Sequence, residues 1–139
     1  MEESKISFIV PGEPQGKQRP RWSPVGTYTP TKTLNYEAYI KEMFAISYPE
    51  FTPLEGELTM KLEMWLTIPK SASKKKRNLM EERLIKPTKR PDIDNTIKTV
   101  LDALQGLAFR NDSQIVTVAA SKFYSARPRL EIEIYGAQI

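Results

Sequence analysis

PDIDNTIKTVLDALQGLAFRNDSQ, residues 91–114, joins a helical period to an acidic pattern that stability alone does not require. A helix starting near Asp94, at about 100° per residue, puts Ile93, Ile97, Val100, Leu101 and Leu104 on one side and Asp94, Asn95, Lys98 and Asp102 on the other. One face packs and the other is left for chemistry. Asp92 precedes the helix, where an extended backbone turns Asp92 and Asp94 to the same side. Asp112 follows a short loop, Gly106 to Asn111, and stands just before Gln114 to Tyr124, whose β-branched and aromatic content reads as a strand. Packed beside the helix, that strand can bring Asp112 to the same pocket.

Carboxylates that close repel one another and are tolerated mainly when cations neutralise them. An oxygen-only ligand set suits hard cations, Mg²⁺ or Mn²⁺, with coordination places left for water and a substrate phosphate. Two such ions can activate a water and stabilise the leaving oxygen of a phosphodiester. Lys98, one turn after Asp94, is placed to pair with a carboxylate or to stabilise charge on the phosphorane. Each residue also has a plainer reading. Asp92 or Asp94 can cap the helix, Asp94 and Lys98 can form an ordinary i,i+4 pair worth a few tenths of a kcal/mol, and Asp102 can sit on a solvated face.

Composition narrows the field. At 139 residues the chain is expected to form one domain with a core of its own. It has no cysteine and no histidine, which excludes disulfides, Cys/His zinc sites, thiol nucleophiles and histidine acid/base catalysis. The formal charge is +4; setting aside Asp92, Asp94, Asp102 and Asp112 raises it to +8, so the surface around the proposed site is basic and favours a polyanionic partner. The N-terminus, MEESKISFIVPG, reads as neither signal peptide nor membrane span, and the chain reads as cytosolic.

Along the chain, Ile6 to Val10 reads as a first strand stopped by Pro11-Gly12. In Pro14 to Tyr28, extended backbone would put Lys17, Arg19 and Arg21 on one side, along a phosphate backbone, with Trp22 or Tyr28 as a stacking surface; a proline-stiffened solvated loop is the alternative. Thr31 or Thr33 can cap a helix to about Ile46 with Tyr36, Tyr39, Ile40, Met43 and Phe44 as its apolar stripe. Glu57 to Ile68 alternates cleanly and reads as a long strand buried on one face, with Trp65 on the other. Ser71 or Ser73 can cap a helix over Ala72 to Leu84, whose first half carries Lys74, Lys75, Lys76 and Arg77. Cations there oppose the helix dipole; DNA contact would rationalise the placement, and a solvated charge run is the commoner alternative for such a stretch. Lys86, Lys89 and Arg90 bring positive charge to the edge of the acidic pocket. Gln114 to Tyr124 and Arg129 to Tyr135 read as two strands joined in a hairpin by Ser125 to Pro128.

PDIDNTIKTVLDAL followed by NDSQI resembles the signature of the RusA-type Holliday-junction resolvases, small endodeoxyribonucleases common in phages and prophages; KQRPR and YTP resemble the N-terminal segments of phage members. The resemblance covers most of the chain and is most specific from Arg90 to Ile115. It implies an α+β fold, a mixed sheet covered by helices, in a homodimer that binds four-way DNA junctions and makes paired, Mg²⁺-dependent nicks in recombination and repair. It implies that Asp92, Asp94 and Asp112 are the metal-binding catalytic carboxylates and Lys98 the catalytic lysine; Asp102 matches a recurrent family position whose role is open, and it and Asn95 are candidates for a supporting part. Members often carry two aspartates before the x-Q, where this chain has Asn111-Asp112. Two other functions fit the same residues: a basic DNA-binding module without catalysis, and a metal-dependent nuclease acting on flaps, forks or other branched nucleic acid.

Overall fold

The computed structural model describes residues 3–16, 21–24, 26–28 and 31–137. Its centre is β4 (Leu58–Thr67), the alternating segment of the sequence. Leu58, Met60, Leu62, Met64 and Leu66 are almost wholly buried on one face of it. Such a strand needs neighbours on both edges. It pairs antiparallel with β6 (Arg129–Ala137) and parallel with β5 (Ile115–Ser125). β1 (Glu3–Pro11) adds antiparallel to β6, giving the order β1-β6-β4-β5. A separate two-stranded ribbon, β2 (Arg21–Ser23) with β3 (Gly26–Tyr28), occupies part of the N-terminal basic segment.

The fold is therefore α+β with a mixed sheet, as the sequence suggests, but the expected hairpin is absent. β5 and β6 are adjacent in sequence and separated in space by β4. Alternation identifies a strand and its buried face but not its partner, and the strongly apolar β4 takes the place between them. The connection across the end of β4 is held locally. Arg127 N–H donates to Ser125 Oγ (3.0 Å), Arg129 Nη1 donates to the Arg127 carbonyl (2.9 Å), and Gly12 N–H donates to the Pro128 carbonyl (3.0 Å).

The apolar face is covered by α1 (Thr31–Ser47) and α3 (Ile93–Leu104), which pack on each other. α1 buries Tyr36, Ile40 and Phe44 as its period predicts, with Tyr39 and Met43 beside them. Between β4 and α3 lies α2 (Lys74–Glu81), shorter than the predicted span at both ends: Ser73 caps its start, accepting from Lys76 N–H at 3.2 Å, and Arg83, at a φ of 65°, follows its end. On the opposite face of the sheet Trp65 is 6% exposed. Phe123, its register neighbour on β5, stacks at 4.6 Å, and the Arg83 and Arg129 guanidinium groups lie 4.9 and 4.4 Å from its ring.

The two sheet edges are treated differently. On β1, the Tyr48 hydroxyl accepts from Ser7 N–H (2.8 Å) and donates to the Ser7 carbonyl (3.1 Å), which blunts that edge. On β5, Val116 and Val118 are exposed along a strand that has no outer neighbour among the described residues.

Candidate functional site

α3 sets the geometry. Its buried stripe is Thr96, Thr99, Val100, Ala103 and Leu104, with Ile97 and Leu101 at the margin. Ile93, assigned to the packed face from the sequence, is instead exposed. The threonines take its place because their hydroxyls are satisfied within the helix: Thr96 Oγ1 donates to the Asp92 carbonyl (3.1 Å) and Thr99 Oγ1 to the Asn95 carbonyl (3.0 Å). That rotation leaves Asp94, Lys98 and Asp102 exposed on the far side.

Asp92 is the N-cap residue, but its carboxylate makes no capping hydrogen bond. Its backbone carbonyl accepts the first helical bond, from Thr96 N–H at 3.1 Å. Among the described residues its Oδ2 receives only a long bond from Asn95 Nδ2, 3.4 Å. Asp94 lies in the first helical turn, so the two acids share a helix end through a cap rather than through strand alternation. Neither Asp94 nor Lys98 takes part in an ion pair among the described residues. The plain readings of capping and of an i,i+4 pair therefore leave these exposed side chains unexplained. The positive end of α3 favours negative charge there.

Asp112 is placed elsewhere. It opens a 3₁₀ turn (Asp112–Gln114), and its N–H donates to Oε1 of Gln105, the residue that ends α3 (3.1 Å). Twelve residues of helix separate that end from Asp92, roughly 18 Å at the usual rise. Within one chain the strand after α3 does not bring Asp112 beside Asp92 and Asp94. Among the described residues no three acidic side chains are grouped to hold a metal.

The turn that carries Asp112 is firmly built. Asn111 Oδ1 accepts from Ser113 N–H (2.9 Å), while Gln114 Oε1 accepts from Asn111 and Arg110 N–H (3.0 and 2.9 Å). Gln114 Nε2 donates to the Leu54 and Gly56 carbonyls, both at 3.0 Å. In N-D-S-Q the asparagine caps and the glutamine clamps, so Asp112 alone presents an exposed carboxylate. The sequence showed the motif; its division of labour needed Leu54 and Gly56, about 60 residues earlier.

Of the predicted basic contacts, Lys74, Lys75 and Lys76 are exposed on the first turn of α2. Arg77 is partly buried, and its Nη2 donates to the Pro69 carbonyl (3.3 Å), a structural role. Lys89 and Arg90 are exposed just before α3, and the Lys89 ammonium lies 6.0 Å from the Tyr124 ring. Lys17 and Arg19 lie outside the described residues, and Arg21 is described only as part of β2. Lys122, Arg83 and Arg129 were not singled out from the sequence. Lys122 Nζ donates to the Lys89 carbonyl and ties the basic segment to β5.

The fold and site define a small α+β protein with exposed carboxylates at a helix end bordered by lysine and arginine, an arrangement suited to acting on a polyanion. Residues 11–135 match the family described as endodeoxyribonuclease RusA. The chain belongs to that family and is by membership a nuclease. It is also 39% identical over 135 residues, 93% of this chain and 94% of the relative, to the uncharacterized protein YqaN of Bacillus subtilis strain 168.

Proposed function

We propose that this nuclease resolves Holliday junctions in recombination and repair, cutting four-way DNA by paired nicks as a homodimer. The observation that carries the reading is the solvent-open pair Asp92 and Asp94 at the positive end of α3, with Lys98 one turn on and Lys89 and Arg90 just before it. The donor set there is carboxylate oxygen only, which fits a hard divalent cation. Mg²⁺, or Mn²⁺ in its place, would supply Lewis-acid polarisation of the phosphate and a water of lowered pKa. Asp92, Asp94 and Asp112 are the residues assigned to hold it. Lys98, on the exposed face with Asp94, offsets negative charge gathering on the phosphate. Lys89 and Arg90 draw the DNA backbone toward a site that its acids would otherwise repel.

The distance from Asp92 to Asp112 supports the homodimer. Two chains about a twofold axis can set the Asp112 end of each against the Asp94 end of the other, which makes two equivalent sites. Two such sites suit two symmetric nicks. The open edge of β5, with Val116 and Val118 exposed, is the surface best suited to a second copy.

The test is a nicking assay on a labelled four-way junction and its matching linear duplex, with Mg²⁺ and with EDTA. Symmetric cuts on the junction alone, lost with EDTA, are expected. Junction binding without cutting across a Mg²⁺ and Mn²⁺ series would replace this reading with a binding module, and cutting of flaps or forks in preference would change the substrate.

Lys74, Lys75 and Lys76 present three cations on one exposed turn. Replacing all three with Ala should weaken junction binding about equally for every sequence and lower the slope of log affinity against log salt by up to about 3. An unchanged affinity and slope would return the run to a solvated helix end.

A further inference from the structure

Residues 83–90, RLIKPTKR, carry four cations and no acid. Arg83 opens the segment at a φ of 65°, in the left-handed region where a helix commonly ends on glycine. The turn is firmly closed. Arg83 N–H donates to the Met80 carbonyl (3.1 Å) and Leu84 N–H to the Leu79 carbonyl (2.9 Å), the paired bonds of a Schellman end. Ile85 packs against the core and Pro87 is buried, so the segment is pinned while Arg83, Lys86, Lys89 and Arg90 stay exposed.

The outer strand β5 lays these cations out. Phe123 stacks with Trp65 on the face turned away from the helices, and there the Arg83 guanidinium lies 4.9 Å from the Trp65 ring and 5.2 Å from Phe123. The Lys86 ammonium is 6.0 Å from the same Phe123 ring. Tyr124 belongs to the core on the other face; the Lys89 ammonium is 6.0 Å from it, and the Lys89 carbonyl accepts from Lys122 Nζ. Between Lys86 and Lys89 the chain therefore passes from one face of the sheet to the other, carrying positive charge away from the acidic end of α3. Arg129, on the same Trp65 ring, is spent within the fold, donating to Glu131 (2.8 Å), the Arg127 carbonyl (2.9 Å) and Ser125 Oγ (3.3 Å). The charged groups of Arg83 and Lys86 make no ion pair among the described residues.

A guanidinium held flat on aromatic rings leaves its N–H edges free and has little rotamer freedom left to lose, the form in which arginine takes a phosphate with two parallel hydrogen bonds. Arg83 and Arg90 are seven residues apart, at most roughly 25 Å of chain and less than one turn of duplex, so a single arm can meet both. We propose that one arm of the bound DNA runs past β5 from the acidic end of α3 to the opposite face of the sheet, with Arg83 and Lys86 on its phosphates. The proposal rests on the reading of the chain as a branched-DNA nuclease, and adds to that site a second stretch of backbone contact.

The experiment titrates the full chain onto a labelled four-way junction in EDTA, where nothing is cut, at several salt concentrations. Arg83→Gly places the residue that such a turn favours and removes one cation; it should weaken binding and lower the slope of log affinity against log salt by about 1. Adding Lys86→Ala should bring the total loss of slope to about 2. The slope is internal to each preparation, so a loss of folded protein does not move it, and the thermal midpoint reports folding separately. A double variant with the wild-type slope and affinity would overturn the surface, whatever its thermal midpoint, and leave Arg83 as a cover for Trp65 while the nuclease reading stands. A wild type that neither binds branched DNA nor cuts it with Mg²⁺ or Mn²⁺ would remove the nuclease reading and the surface with it.

Discussion

Asp94→Asn is expected to lower junction nicking at least about a thousandfold while leaving junction affinity intact or slightly improved. The substitution keeps shape and removes one negative charge from an exposed side chain that makes no ion pair among the described residues. The fold has little to lose. At most the favourable interaction with the α3 dipole goes, about 0.3–1 kcal/mol. What is removed is a carboxylate oxygen at the point where a cation and a phosphate would meet. A structural acid would behave oppositely, lowering the thermal midpoint and leaving the specific activity of the folded fraction alone. Gel-resolved nicking, a binding titration and a melting curve on the same preparation separate the two, and an unchanged cutting rate would remove Asp94 from the site.

Much of the chain was legible because local rules governed it. β4 lies within one residue of its predicted bounds, since strict alternation from Leu58 to Leu66 fits only a strand with one face in the core. α1 follows its aromatic and aliphatic stripe, and Ser73 caps α2. The misreadings come where a residue is decided by something distant or by a second use of its side chain. Thr96 and Thr99 looked polar, yet each hydroxyl bonds the carbonyl one turn back and the methyl is then free to pack, so the helix turns Ile93 outward. The place of Trp65 on the other face of β4 was legible, but not the Arg83 and Arg129 guanidinium groups that lie against it, one from the turn after α2 and one from β6. The place of β4 between β5 and β6 is a choice among partners that alternation cannot make.

The acidic site shows the same division. That Asp92, Asp94 and Asp112 are unusual could be read from their pattern, and the structure supplies the reasons: a cap residue whose carboxylate does not cap, and a turn in which Asn111 and Gln114 make the bonds that fix Asp112. A strand packed beside the helix was the expected way to bring Asp112 to the same pocket. The path of the chain denies it, since Asp112 is docked on Gln105 at the far end of α3.

That separation of Asp112 from Asp94 gives the prediction that most sharply tests how the site is built. If each site takes Asp92 and Asp94 from one chain and Asp112 from its partner, Asp94→Asn and Asp112→Asn should each be inactive alone, and mixing them should restore cutting. In a mixed dimer one site collects both substitutions and the other collects none. Random exchange makes about half the dimers mixed, each with one intact site, so recovery should approach about a quarter of wild-type sites. The product should also change, because one intact site per dimer cuts one strand and gives nicked junctions in place of resolved duplexes. If Asp112 instead served the Asp94 of its own chain, every site in the mixture would carry a substitution and nothing would be recovered. Time courses of the separate and mixed variants on one labelled junction, resolved under native and denaturing conditions, distinguish these outcomes. Single-strand nicks from the mixture place the two acids of one site on two chains; continued inactivity, with exchange verified by differently tagged subunits, places them on one.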